Sequence, residues 1–149
     1  MKLAEALQER ADLNRRLAEL RSRLTDNALV QEGERPAEDP AELMEELDRC
    51  AAALENTIGR INLANCRTVV EGKTLTELLA RRDCLTIRIG AYRDLVSSAS
   101  QTARRARGTE IKVLSTVNVA ALQKRVDELS RELRTLDNTI QQVNWTTEL

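Results

Sequence analysis

Residues 119–143 read VAALQKRVDELSRELRTLDNTIQQV, and this stretch decides the fold of the chain. Its apolar residues recur at alternating steps of three and four, the heptad pattern of a helix that packs on another helix. The positions between them are mostly polar or charged, so the stretch predicts an amphipathic helix over about 119–144. The seam consists of Val119, Leu122, Val126, Leu129, Leu133, Leu136, Ile140 and Val143.

Three earlier segments repeat this spacing and predict three further helices. Asp39 followed by Pro40 is a helix start, because Asp caps a helix and Pro fits its first position. Thr74 with Glu77 forms a capping box, and Asn118 caps the last helix. The sequence therefore predicts an all-α fold of four long helices in antiparallel coiled-coil or bundle packing. The three further helices are expected near 3–29, 40–65 and 75–101.

The connections between the helices carry a weaker β signal. Residues 68–70 are β-branched and 110–114 alternate in polarity, so the two stretches predict a short two-stranded ribbon. We expect one helical domain over residues 1–149. It contains a helical hairpin over 3–65 and a second helical pair over 75–144, with strand-like connections at 66–74 and 102–117.

Composition narrows the chemistry. The 149 residues include no His, which removes the commonest general base and metal ligand. The three cysteines are far apart and fit neither a disulfide framework nor a zinc motif. The charged cluster of Glu77 and Arg81–Asp83 has no nucleophile or phosphate-loop motif beside it, and such clusters are usually surface pairs. We expect no enzymatic activity, no cofactor, no metal and no identifiable small-molecule substrate.

Location follows from the same residues. No stretch approaches the roughly 18 apolar residues of a membrane span, and the N-terminal residues do not resemble a signal peptide. Unpaired cysteines suit a reducing compartment. The sequence predicts a cytoplasmic protein without a membrane span.

The third helix carries a second apolar line beside its seam, formed by Ile87, Ala91 and Leu95. A helix with two apolar lines is expected to contact more than one neighbour. These residues, with the single Trp145, are the predicted interface of a homo-oligomer. Arg82 replaces an aliphatic on the seam of the same helix. It is therefore a candidate for a buried ion pair, with a guanidinium that is at least partly buried and paired with a carboxylate.

Charge is divided along the chain. Residues 1–66 carry nine basic and fourteen acidic side chains, whereas residues 67–112 carry ten and five. One interpretation is complementary patches that orient self-association. The other is charge that decorates solvated faces.

The arginines of the middle region give an alternative function. Arginine contacts to phosphates supply sequence-independent affinity for nucleic acid. The region has almost no aromatic residues for base stacking, so a nucleic-acid partner is the less favoured interpretation. The candidate anion or nucleic-acid contacts are Arg81, Arg88, Arg104, Arg105 and Arg107.

Several stretches together resemble the septicolysin-like family of small helical bacterial proteins. They are Asn27–Glu34, Glu38–Pro40, Leu75–Asp83, Glu110–Lys112 and Asn144–Leu149. The resemblance spans nearly the whole chain and implies an uncharacterised coiled-coil subunit that forms a homo-oligomer, a hexamer in this family. The family name also implies a cytolysin, which is a further alternative to a self-assembling structural or interaction protein.

Overall fold

The computed structural model describes residues 1–101 and 111–149. These described residues form four α-helices, and the predicted all-α class is confirmed. The predicted helix bounds agree with the observed ones to within three residues. The helices are α1 (Leu3–Asp26), α2 (Pro40–Arg67), α3 (Leu75–Ala99) and α4 (Val119–Thr146).

The predicted caps fix where three of the helices begin. The Asp39 carboxylate accepts a hydrogen bond from the Ala41 backbone N–H at 2.9 Å. Thr74 and Glu77 form the reciprocal capping box, with the Thr74 N–H donating to the Glu77 carboxylate at 2.7 Å. Asn118 accepts from the Ala121 N–H at 3.0 Å. Each cap satisfies a backbone donor that the first turn of a helix leaves unpaired.

A short hairpin lies between α2 and α3. Its strands are β1 (Val69–Val70) and β2 (Lys73–Thr74), joined by Glu71 and Gly72. Both loop residues have positive φ, 50° and 81°, as a type I′ turn requires.

The predicted partner of the first strand is therefore wrong. Ile111–Leu114 lie in no strand, and residue 110, like the rest of 102–110, lies outside the described residues. A two-residue loop supplies a partner next to β1, whereas pairing with 110–114 requires closure of a much longer loop. The local partner is the one that forms.

Contacts divide the chain into two compact units, residues 1–70 with 143–149 and residues 71–142. In the first unit α1 packs along α2. The buried residues of this unit are Leu3, Ala6, Leu20, Leu43, Thr57, Ile61 and Asn144. The single domain over 1–149 stays a prediction.

The first unit also joins the two ends of the chain. The Leu3 N–H donates to the Thr147 carbonyl at 2.9 Å, and the Leu149 N–H donates to the Met1 carbonyl at 3.0 Å. The Lys2 ammonium lies 2.5 Å from the Glu148 carboxylate. This hydrogen bond from Lys2, together with one from the terminal ammonium, lowers the pKa of Glu148.

In the second unit α3 and α4 each bury one side. All eight residues of the predicted α4 seam are buried or half-buried, as the heptad pattern requires. Side chains also connect the two helices, because Arg81 pairs with Glu132 and Arg93 donates to the Ser130 hydroxyl at 3.4 Å. The buried residues are Leu75, Leu78, Leu85, Ile89, Val126, Leu129, Leu136 and Ile140.

The hairpin turn gives a first prediction. Glu71 has a φ of 50°, a conformation that Asn tolerates better than Glu. We expect Glu71→Asn to raise the free energy of unfolding by about 0.5 kcal/mol, because it relieves this backbone cost. Urea unfolding followed by circular dichroism measures the change. The matched control is Gly72→Ala, which should lower stability, since φ is 81° there and Ala has a Cβ. Equal stability for both variants and the parent would contradict the turn assignment.

Candidate functional site

Helix α3 carries apolar residues on two opposite sides. At roughly 100° per residue, the buried residues Leu78, Leu85 and Ile89 share one side of the helix. Ile87 points away from them, and 70% of its surface is exposed. One side of α3 therefore belongs to the core of the second unit, and the other faces solvent.

Four residues line the solvent side at steps of four, three and four, and we call this row the outer seam. Sequence reasoning found Ile87 and Ala91 but missed Ala80 and Cys84, because small residues contribute little to an apolar pattern. Extending the heptad spacing backward from Ile87 identifies both. The outer seam consists of Ala80, Cys84, Ile87 and Ala91, all of which are exposed.

Leu95, the third residue of the predicted line, has a different environment. It is 39% exposed and lines a cleft of about 250 Å³ with the segment 113–117. Val113 and Leu114 face this cleft beside the C-terminal end of α3. The cleft marks one end of the outer seam, because chain from the same subunit begins to cover the helix there.

Charged residues flank the outer seam. Arg88 lies on one flank and has no ion-pair partner in the part of the chain that the structure describes. Arg81, on the same flank, is engaged by Glu132 of α4. Asp83 lies on the opposite flank, and 68% of its side chain is exposed. One flank is therefore basic and the other carries a carboxylate.

Arg82 is half-buried and paired with a carboxylate, but this ion pair lies at the surface and is not fully buried. Its side chain is 37% exposed, and its carboxylate partner is the neighbouring Asp83 at 3.2 Å. An Arg side chain reaches past the edge of the seam, so its aliphatic part lies against the helix while the guanidinium stays in contact with water. The ion pair is a surface pair.

The other predicted contacts are only partly described. Of the five candidate arginines, Arg81 and Arg88 lie on α3, and Arg81 is already paired with a carboxylate. Arg104, Arg105 and Arg107 lie outside the described residues. Trp145 belongs to the first unit, and 59% of its surface is exposed, so it contacts solvent within its own subunit.

An acidic cleft of about 610 Å³ lies between the start of α2 and the end of α1, within the first unit. Arg23 donates from its Nε to the Glu38 carboxylate at 2.9 Å, and Arg16 donates to Glu46 at 2.8 Å. The hydrogen bond from Arg23 lowers the pKa of Glu38. Asn27 completes the arrangement by accepting from the Glu38 N–H at 3.0 Å. These contacts hold the α1–α2 connection in place.

Within residues 1–101 and 111–149, no group of three or more His, Cys, Asp or Glu side chains is arranged to hold a metal ion. In these same ranges, no helix has the length and apolar character that crossing a membrane requires.

Comparison with known proteins places the chain in a family. The model of a family of unknown function, DUF6847, matches residues 10–149, and the chain belongs to this family. The fold is also that of a functionally unknown conserved protein from Corynebacterium diphtheriae, known from a crystal structure. The two chains are 40% identical, with a TM-score of 0.93, and the match covers 100% of this chain and 98% of the other. No curated protein matches the chain.

These matches correct the family predicted from sequence. Neither points to a septicolysin-like family, so that resemblance is wrong. The hexamer and the cytolysin interpretation depended on it and are withdrawn. The quoted stretches are only three to nine residues long, and stretches this short recur in unrelated proteins.

The Arg82 geometry gives a second prediction. Exposed ion pairs contribute about 0–1 kcal/mol. We therefore expect Arg82→Ala to change the free energy of unfolding by less than about 1 kcal/mol, measured by urea unfolding. Leu85→Ala, one turn along the same helix, should cost about 2–5 kcal/mol because Leu85 is buried. A loss of comparable size in both variants would show that Arg82 is buried after all.

The acidic cleft gives a third prediction. Because the folded pKa of Glu38 is lowered, its ion pair stabilises the fold above the unfolded-state pKa of about 4.3. This contribution is lost as the pH falls through the folded pKa. Glu38→Gln should therefore lower the melting temperature at pH 7 and have little effect near pH 3. Glu34→Gln, in the same connection, is the control and should leave the profile of melting temperature against pH close to that of the parent. A constant difference at every pH for Glu38→Gln would mean that Glu38 acts through packing alone.

Proposed function

We propose that this protein is a non-enzymatic helical interaction protein that associates with copies of itself through the outer seam of α3. The observation that carries the proposal is the exposed row Ala80, Cys84, Ile87 and Ala91, with Ile87 70% exposed. Contiguous exposed apolar residues on a protein surface usually mark an interaction site.

The spacing of the row supports a helix as the partner. Steps of four, three and four place the four residues on one stripe of the helix, which is the geometry that packs against a second helix. The small side chains of Ala80 and Ala91 allow close approach. A partner helix that covers this row removes the exposed surface of Ile87 from water, which is favourable by about 25 cal/mol per Å².

Leu63, an exposed apolar residue on another helix, does not belong to a row of apolar residues. Leu63 of α2 is 55% exposed, but its neighbours one turn away include Arg60 and Arg67 rather than aliphatic residues. Single exposed apolar residues of this kind are ordinary on protein surfaces. The outer seam differs because its apolar residues continue over more than two turns.

The polar groups near the seam support the non-enzymatic part of the proposal. The charged residues Arg81–Asp83 of α3 form ordinary surface pairs. Arg81 pairs with Glu132, and Arg82 pairs with Asp83. We place the protein in the cytoplasm, where the thiols of its exposed Cys66 and Cys84 remain reduced.

Replacing Ile87 tests the proposal. A carboxylate at the centre of a helix interface must lose its water when the interface forms. We therefore expect Ile87→Glu to weaken self-association at least about tenfold, while helix content by circular dichroism stays unchanged because the side chain is exposed in the subunit. Sedimentation equilibrium over a micromolar concentration series gives the association constant.

Leu63→Glu is the matched control, since it adds the same charge at another exposed helical position. It should leave the association constant unchanged. A parent protein that sediments only at the monomer mass of 16.7 kDa would refute the proposal. Equal weakening by both substitutions would show that the effect comes from net charge and not from the outer seam.

A further inference from the structure

We infer that two copies of α3 pair in a parallel orientation and in register, so that each residue of the outer seam meets its own copy. The inference rests on the proposed function and adds the geometry of the partner. The charges on the two flanks of the seam select the orientation of the pair, because apolar residues alone do not.

The heptad spacing assigns the flanking positions. With Cys84 and Ala91 at a positions and Ala80 and Ile87 at d positions, Asp83 occupies a g position. Arg81 and Arg88 occupy successive e positions. In coiled-coil pairs the e and g residues lie beside the apolar seam and contact the partner helix.

A parallel pair brings opposite charges together. In this orientation a g residue faces the e residue five positions later on the partner, so Asp83 of each copy faces Arg88 of the other. Both side chains are available for this contact. Arg88 has no ion-pair partner among the described residues, and Asp83 contacts only the adjacent Arg82 at 3.2 Å.

An antiparallel pair brings like charges together. In that orientation e residues face e residues. When Cys84 of one copy lies beside Ile87 of the other, Arg88 of one copy lies beside Arg81 of the other. Like charges across an interface oppose association. The flank charges therefore favour the parallel pair by one attractive contact on each side and by the repulsion that it avoids.

Acidic residues of α3 occupy the seam positions at both ends of the outer seam and so limit the length of the contact. The next seam position after Ala91 is Asp94, whose carboxylate would face its copy, and the cleft lined by Leu95 and 113–117 begins there. The preceding seam position is Glu77, whose carboxylate is held by the Thr74 cap. The contact thus spans Ala80–Ala91, about 18 Å of helix. A contact this short fits a reversible dimer.

Charge reversal distinguishes the two orientations. In a parallel pair, Arg88→Asp places two carboxylates opposite each other on both sides, so the association constant measured by sedimentation should fall by roughly tenfold. Asp83→Arg should weaken it similarly, and the double variant should recover most of the loss. In an antiparallel pair, Arg88→Asp would instead place a carboxylate beside Arg81 and strengthen association.

Cross-linking gives a second readout. In a variant with Cys50→Ala and Cys66→Ala, Cys84 is the remaining thiol. Diamide oxidises two thiols to a disulfide and takes up two electrons and two protons to become the hydrazine. We expect a disulfide-linked dimer, because a parallel pair brings the two copies of Cys84 together. Adding Cys84→Ala should abolish the dimer. In an antiparallel pair Cys84 instead lies beside Ile87 of the partner, so efficient cross-linking would require one chain with Cys84 alone and another with Ile87→Cys alone.

The outcomes separate the two proposals. Self-association that Arg88→Asp strengthens, with cross-linking only in the mixed sample, overturns the parallel pair and leaves the proposed function standing. Self-association that neither charge reversal affects and that yields no Cys84 dimer also overturns the parallel pair. Absence of self-association in the parent protein overturns both.

Discussion

The burial of aliphatic side chains at heptad spacing is the interaction on which the rest of this structure depends. The sequence contains no Phe, one Trp and one Tyr, so Leu, Ile, Val and Ala supply nearly all of its apolar surface. Such residues bury little area each, and a stable core therefore requires many of them in register along long helices. Caps, turns and surface ion pairs refine where the helices begin and end.

This constraint explains why α3 is unusual. On the other helices exposed apolar residues such as Leu63 stand apart from the buried stripe, whereas α3 has a buried stripe at Leu78, Leu85 and Ile89 and a continuous exposed one around Ile87. Its subunit covers the first stripe only. The proposed self-association gives the second stripe a partner of the same kind, an aliphatic helix face with small residues and charged flanks.

Much of the fold could be predicted from the sequence because its signals are local and periodic. Four heptad patterns and the caps at Asp39, Thr74 and Asn118 located the helices closely. The partner of β1 was predicted wrongly because alternation at 110–114 resembled a strand, whereas the strand that pairs with β1, Lys73–Thr74, is only two residues long. Arg82 was expected to be at least partly buried, and it is half-buried. Its partner is the exposed neighbour Asp83, because a seam position does not determine how far a long side chain reaches toward water.

The candidate site was only half visible in the sequence. Ile87 and Ala91 stood out, but Ala80 and Cys84 could not be distinguished from ordinary helix surface until the burial of α3 was known. The resemblance to a septicolysin-like family failed because it depended on short motifs, which recur in unrelated proteins, whereas a match over residues 10–149 shows that the chain belongs to DUF6847.

Hydroxyl-radical footprinting of the unmodified protein over a dilution series tests the central claim most directly, because it measures the solvent exposure of single side chains in solution. The account predicts that oxidation of Ile87 decreases as the protein concentration rises through the micromolar range, while oxidation of Leu63 stays constant. Oxidation of Ile87 that, like that of Leu63, does not change with protein concentration would contradict the account, since it would show that no second copy covers the outer seam.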